Sequence, residues 1–575
     1  MEPEKQSLFH TIFHTKYREI TPEALILGFF IGCFMAASFT YAGMVLGFTM
    51  SASAVASIIG WGVLKKIVKK GTIVENNINQ TIASAINNGC SGVIFTVPVL
   101  FIRHADFNPW MVGAACTAGA ILGVAFIIPV RKQLIDLERL RFPTGTAVAT
   151  ILKSPGAGVQ KAKLLVWGTL ISAGIYFITQ FPLLKWPAIL PETINLGKLI
   201  GLPGYVDATM AVSLFSFGAG FITGKMGLTV LAGGALAYWI ITPVAVQAGW
   251  IPKVIDLSFM DSFAHDHMNR PLGIGMLIGG ALMGIVLAFP SIKSAIQSLR
   301  SMEMKGGNLE EMPLKVLGFA IVGAFVVLFL ATYYTASIGF FMSFVVALLG
   351  VIWMMFAGII IAECTGLTDW SPISGMALVA VVVMLFLTNN HVVTAVLIGA
   401  TVCVAITQCA DMMQDLKTGY LIGGVPIRQQ LIEITFAWVG ALISIATLYL
   451  LWKAYGFGGP GDRISAPQAQ ALNAAINGIL GGDVPYDKYL TGGLIGILLS
   501  GSGISGLGVL IGISMYLPLL YIIPYGFGCL ANQIVCFIKG EQWTEEWGVP
   551  VAAGFISGET MLVLVFAMLT VAGVI

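Results

Sequence analysis

Charge is what this sequence has least of. Acidic and basic side chains make up 10% of the 575 positions and hydrophobic ones 57%, whereas soluble domains carry roughly a quarter charged residues. That scarcity excludes a soluble globular protein, which could not cover its surface with so little charge. A formal net charge of +2 leaves no basic excess for a nucleic acid. The eight cysteines, Cys33, Cys90, Cys116, Cys364, Cys403, Cys409, Cys529 and Cys536, lack the spacing of a disulfide framework or a zinc site. They read as small core residues. No Gly-x-x-x-x-Gly-Lys-Ser/Thr segment occurs, which argues against direct ATP drive. His-Glu-x-x-His and Gly-x-Ser-x-Gly are missing too, so the sequence assigns no enzymatic centre, cofactor or metal. A cleavable leader is not evident, since the first 22 residues are polar and carry Lys5, Lys16 and Arg18; the first helix is expected to be its own insertion signal.

What the chain has in abundance is apolar runs of bilayer length. Examples are residues 24–47, 110–130, 316–333, 340–362 and 551–575, each near the roughly 20 residues that a spanning helix needs. The expected fold is an all-α polytopic membrane protein with about sixteen transmembrane helices, several of them broken or re-entrant. Basic clusters such as Lys65, Lys66, Lys69 and Lys70, then Arg131, Lys132, Arg139 and Arg141, then Lys293, Arg300 and Lys305 all fall on one side in this scheme. By the positive-inside rule that side is cytoplasmic, as are both termini, in a cytoplasmic (inner) membrane.

The two halves echo each other. Leu27-Gly28-Phe29 returns as Leu317-Gly318-Phe319, Asp136-Leu137 as Asp415-Leu416, and Gly227 with Pro243 as Gly508 with Pro524. The order of these matches implies a tandem repeat of roughly 285 residues with an even number of spans, hence two parallel eight-helix repeats. The division is a cytoplasmic N-terminal segment (1–22), a first repeat (23–290), a cytoplasmic linker (291–312) and a second repeat (313–575).

One polar stretch stands out against this background: Glu75-Asn76-Asn77-Ile78-Asn79-Gln80-Thr81-Ile82-Ala83-Ser84. Carboxamides in a membrane must find partners or line a wet cavity. At helical spacing Asn77, Gln80 and Ser84 share a face; with Asn79 they are candidates for binding a polar cargo, and interhelical packing is the competing explanation. Asp411 and Asp415 stand four apart on a helix, so their like charges couple. Glu559, inside the apolar run 551–575, and Glu363 are further ionisable groups at membrane depth. Glu559 is the first choice for a proton carrier, the Asp411/Asp415 pair the second.

Two other patterns invite over-reading. Gly501-Ser502-Gly503-Ile504-Ser505-Gly506 fits a dinucleotide fingerprint but lies between apolar helices, where helix packing is expected. His265-Asp266-His267, in an expected external loop, lacks further fixed ligands and reads as solvated.

The polar stretch, together with Arg141-Phe142-Pro143-Thr144-Gly145-Thr146, Pro372-Ile373-Ser374-Gly375-Met376, Met413-Gln414-Asp415-Leu416-Lys417-Thr418-Gly419-Tyr420, Tyr516-Leu517-Pro518 and residues 554–559, resembles the signature segments of the oligopeptide transporter (OPT) family, and of its prokaryotic members. The resemblance runs in order along nearly the whole chain; it departs at Thr368-Asp369-Trp370-Ser371, where relatives more often carry Ser and Asn before the proline. It implies secondary transport, proton-coupled, of short peptides, glutathione-like thiols or metal chelates. Repeats, interrupted helices and sparse buried carboxylates agree with a symporter; a passive channel or facilitator for small polar solutes is the alternative. The expected cargo site lies between the repeats and takes Asn77, Asn79, Gln80, Ser84 and Thr144 from one, Ser371, Ser374, Gln414 and Asp415 from the other. Proton coupling falls to Glu559, Asp411, Asp415 and Glu363. The partners are the cargo, protons and the bilayer; homo-oligomerisation is left open.

Overall fold

In a computed structural model, the chain is described over residues 17–574 apart from 48–51, 66–67, 70, 154, 185, 188, 204, 252–259, 288–310, 337, 369–372, 459–461, 482–484 and 505. Eleven described helices are long and apolar enough to cross a membrane, among them Pro22–Leu46, Pro109–Val130, Phe340–Gly366, Val392–Ile422 and Glu541–Val571. The protein is an all-α polytopic membrane protein; one short antiparallel ribbon, Thr193–Asn195 with Thr209–Ala211, is the described sheet.

Length sorts the expected spans. The one near residue 58 is the short helix Ser53–Lys65, and the one near 379 is the 15-residue helix Ile373–Leu387. Pro143–Leu152, opened by Pro143, has 10 residues. These three are shorter than a bilayer is thick. The two spans expected near 216 and 237 form one apolar stretch, Leu214–Gln247, interrupted where Gly224 adopts a positive φ of 59°. The 501–506 segment is a turn between the helices Tyr486–Ser500 and Leu507–Tyr516, exposed at residues 501–504. Its glycines serve chain reversal, with Gly503 at φ 93° and Gly506 at φ 72°, not helix packing.

The chain divides into two compact units, each assembled from both sequence halves. The first takes residues 1–40, 49–162 and 288–449; the second takes 41–48, 163–287 and 450–575. In the first unit the helices Ile73–Thr96 and Val392–Ile422 form the core and are buried almost throughout. Their closeness depends on glycine: a Cβ on Gly92 would overlap the Val404 backbone, and on the neighbouring helix Pro426–Tyr455 one on Gly440 would overlap the Ile86 carbonyl. Among the described linker residues, Glu311 pairs with Arg131 at 2.6 Å and Met312 donates its N–H to Gln430 at 2.8 Å. The rest of that linker and most of the N-terminal segment lie outside the described residues. All eight cysteines are free thiols, six of them buried.

In the second unit the His265-Asp266-His267 segment is not a loop. It forms the helical turn His265–Asn269. Tyr238 explains the difference: its ring stacks on His265 at 5.4 Å and its hydroxyl meets Nδ1 at 2.8 Å. Burial pushes the His265 imidazole down to about 4, so it stays neutral at physiological pH.

Candidate functional site

The helix Ile73–Thr96 begins at a capping box. Thr72 accepts from the Glu75 N–H at 3.1 Å, and Glu75 accepts from the Thr72 N–H at 3.2 Å. Glu75 also accepts from Thr21 at 2.5 Å and pairs with Arg18 at 3.2 Å, which matches its full burial. The carboxamides that follow are buried as well and largely serve one another. Asn76 donates to Ser57 O at 2.9 Å, Asn79 to Ala56 O at 3.1 Å, and Gln80 to Asn77 Oδ1 at 3.1 Å. Ser84 breaks the pattern. Its hydroxyl reaches across to the other core helix and lies 2.7 and 2.9 Å from the two oxygens of Asp411.

Asp411 is one of three carboxylates gathered at this point. Oxygens of Asp411, Asp415 and Glu433 all lie within 4.8 Å of one another, and all three residues are buried. Glu433 comes from the next helix, Pro426–Tyr455. Oδ2 of Asp415 and both oxygens of Glu433 are buried without a hydrogen-bond partner among the described residues, as is Oε1 of Gln80. At an effective dielectric constant of about 20, two full charges at such a separation repel by roughly 3 kcal/mol, and unmet donors add a desolvation cost. Such a group can relieve both costs by holding protons or a cation among its oxygens. Lys417 does not neutralise it: its ammonium donates to Leu140 O at 2.7 Å.

Glu433 lies outside every family-like motif of the sequence. The available signal was an acid, eighteen residues past Asp415, inside a helix otherwise fit to span a membrane.

Other expected cargo residues also meet in the first unit. Gln414 accepts from the Gly145 N–H at 2.6 Å, and Thr418 donates to Gly145 O at 2.8 Å. This contact ties the start of the helix Pro143–Leu152 to the motif in the second sequence half. Thr144 and Ser374 are half-buried near the starts of their short helices. Ser371 lies outside the described residues. Glu363 is buried in the helix Phe340–Thr368 and does not belong to the three-carboxylate group.

Glu559 lies in the second unit, on the helix Val549–Val571. Both of its oxygens are engaged: Oε1 accepts from Ser213 Oγ at 2.7 Å and Oε2 from the Phe215 N–H at 2.8 Å. Ser213 is the N-cap of the helix Leu214–Thr223, so Glu559 meets the positive end of a helix dipole. This is how a structural carboxylate is held.

The chain matches the family described as OPT oligopeptide transporter protein over residues 19–570. A Haemophilus influenzae protein, named provisionally as an oligopeptide transporter, is 28% identical, with 93% of each chain covered. A metal-nicotianamine transporter from Arabidopsis thaliana is 24% identical, covering 89% of this chain and 84% of its own. An iron-phytosiderophore transporter from Oryza sativa subsp. japonica is 25% identical over 65% of this chain and 59% of its own.

Proposed function

Because the chain belongs to the oligopeptide transporter (OPT) family and is thus an integral membrane transporter and not an enzyme, we propose that it carries short peptides or peptide-like metal chelates across the cytoplasmic membrane by proton-coupled secondary transport. The observation that carries the coupling is the buried group Asp411, Asp415 and Glu433, whose oxygens outnumber their donors. Protons taken up by such a group relieve both the repulsion and the unmet hydrogen bonding, and their release restores both. Load and release are what a coupling site must alternate between.

In this reading Asn77, Asn79, Gln80, Ser84 and Gln414 support the coupling group and the helices around it, which is where their hydrogen bonds go. Ser84 presents its hydroxyl to Asp411, and Gln80, one turn before Ser84, donates to Asn77 and Thr81. Thr144, Ser371 and Ser374, at the short interrupted helices, belong to the path that opens and closes. Glu559 holds its helix, and Glu363, buried in the helix Phe340–Thr368, is a further proton-coupling candidate. The architecture we propose remains two parallel repeats totalling about sixteen spanning or half-spanning helices, with both ends of the chain cytoplasmic. It is supported by where the chain changes unit: at residue 163 in the first half and 450 in the second, one repeat length apart.

The test is uptake into proteoliposomes with and without an imposed pH gradient, over a panel of dipeptides, tripeptides and amino-acid-based metal chelates. Accumulation of a peptide or chelate above equilibrium only under the gradient is expected. Saturable flux that ignores the gradient would leave a facilitator in place of a symporter.

A further inference from the structure

The second unit contains a cavity of about 340 Å³, which the signature segments reach only at Pro518 and Glu559. Tyr41 and Glu559 are its buried floor, Tyr176 and Tyr521 stand in its wall, and Glu192, Asp462 and Arg463 are exposed at its mouth. Glu192 and Arg463 sit on braced backbone. The Glu192 carbonyl accepts from the Val212 N–H at 3.0 Å, beside the ribbon of Thr193–Asn195 and Thr209–Ala211. Arg463 donates its N–H to Tyr455 O at 3.0 Å, next to the bridge between Phe457 and Ile464.

Three features suit a ligand of particular chemistry. Among the described residues neither Glu192 nor Arg463 has an ion-pair partner, so each keeps its charge available without neutralising the other. The hydroxyls of Tyr176 and Tyr521 have no hydrogen-bond partner in the protein among the described residues either, and the cavity is where they can find one. The volume is at the lower end of the range of ~300–1,000 Å³ usual for ligand sites. Glu559 is not free to add a third charge contact, because Ser213 and Phe215 occupy its oxygens; it fixes the floor.

Building on the transport reading above, we propose that this cavity is the cargo site and that it selects short peptides by their free ends. Arg463 takes the α-carboxylate in a charge-assisted, fork-shaped pair. Glu192 takes the α-ammonium, and the tyrosine hydroxyls meet the peptide groups between. A molecule bearing both charges at a fixed separation bridges the mouth; one bearing a single sign satisfies one wall only. Long peptides are excluded by volume. Both charged residues lie in segments that the positive-inside scheme puts outside, where a cargo for uptake is loaded.

The experiment is calorimetric binding to the purified full chain in detergent, using dialanine, N-acetyl-dialanine and dialanine amide. Wild-type protein is expected to bind dialanine at least tenfold more tightly than either blocked form. Arg463→Gln should bind dialanine and its amide alike, while still rejecting the acetylated form. Glu192→Gln should show the reverse, and Arg463→Lys, which keeps the charge, should retain the preference. Because both positions are exposed, these variants should fold, which their unchanged melting temperatures would confirm. The proposal is overturned if wild type binds none of the three peptides, binds all three equally, or keeps both preferences in the Gln variants. Loss of only the Arg463 effect or only the Glu192 effect overturns recognition by both ends; an Arg463 effect alone would point to anionic chelates. Intact selective binding without gradient-driven uptake would overturn proton coupling and leave the site standing.

Discussion

Two buried carboxylate sites, one in each unit, differ in how many donors and how many other carboxylates surround them. Glu559 is matched: a hydroxyl and a helix N-terminal N–H hold its two oxygens at 2.7 and 2.8 Å. The Asp411, Asp415 and Glu433 group is mismatched. Ser84 serves Asp411, but among the described residues one oxygen of Asp415 and both of Glu433 go without hydrogen-bond partners, and each carboxylate faces two others within 4.8 Å. Burial is similar in the two places. What separates a carboxylate that braces a fold from one that can exchange a proton is the count of donors around it.

The largest test of this contrast is neutralisation of the mismatched group. Asp415→Asn should abolish accumulation under a pH gradient while preserving exchange of cargo across the vesicle wall, since exchange requires no net proton movement; isotope counterflow measures the second quantity. Accumulation at the wild-type level in that variant would erase the contrast. Next comes the matched site. Glu559→Gln keeps one accepting oxygen but turns an NH₂ toward one of the two donors, so the protein should lose about 1–3 kcal/mol of stability and still couple transport to protons. Thermal unfolding followed by tryptophan fluorescence reads the first effect and uptake the second. Loss of coupling at undiminished stability would exchange the roles assigned to the two sites. Ser84→Ala should be milder: it removes the hydroxyl serving Asp411, and a several-fold fall in gradient-driven uptake is expected, on the order of 1 kcal/mol. Smallest of all is Gln80→Ala. It removes the carboxamide's bonds to Asn77 and Thr81, and should change the apparent transport constant by about threefold or less, with folded protein still abundant.

How far the sequence foretold this arrangement depends on the kind of signal. The polar run at 75–88, the Asp411/Asp415 pair and the Pro-Thr-Gly segment at 143–145 were visible because each is local and breaks an apolar context. Their mutual contacts, Ser84 with Asp411 and Gly145 with Gln414, agree with segments of the two halves meeting. Glu433 and Arg463 were not visible. Each is a single charged residue whose surroundings come from elsewhere in the chain, and no periodicity reports such a meeting. The contrast between Glu559 and its rivals was also hidden, because burial can be inferred from hydropathy and donor geometry cannot. The His265 turn shows the same limit: its partner Tyr238 lies 27 residues away, so the first residue of a polar tripeptide that reads as a loop is packed, while Asp266 and His267 stay exposed.

The central claim is that the three-carboxylate group carries the transported proton, and Glu433 tests it best because no motif singled that residue out. In proteoliposomes holding Glu433→Gln, a pH gradient should drive no cargo above equilibrium, and cargo added without a gradient should move no protons on an internal pH dye, while counterflow proceeds near the wild-type rate. Proton movement that accompanies cargo as in wild type would contradict the account.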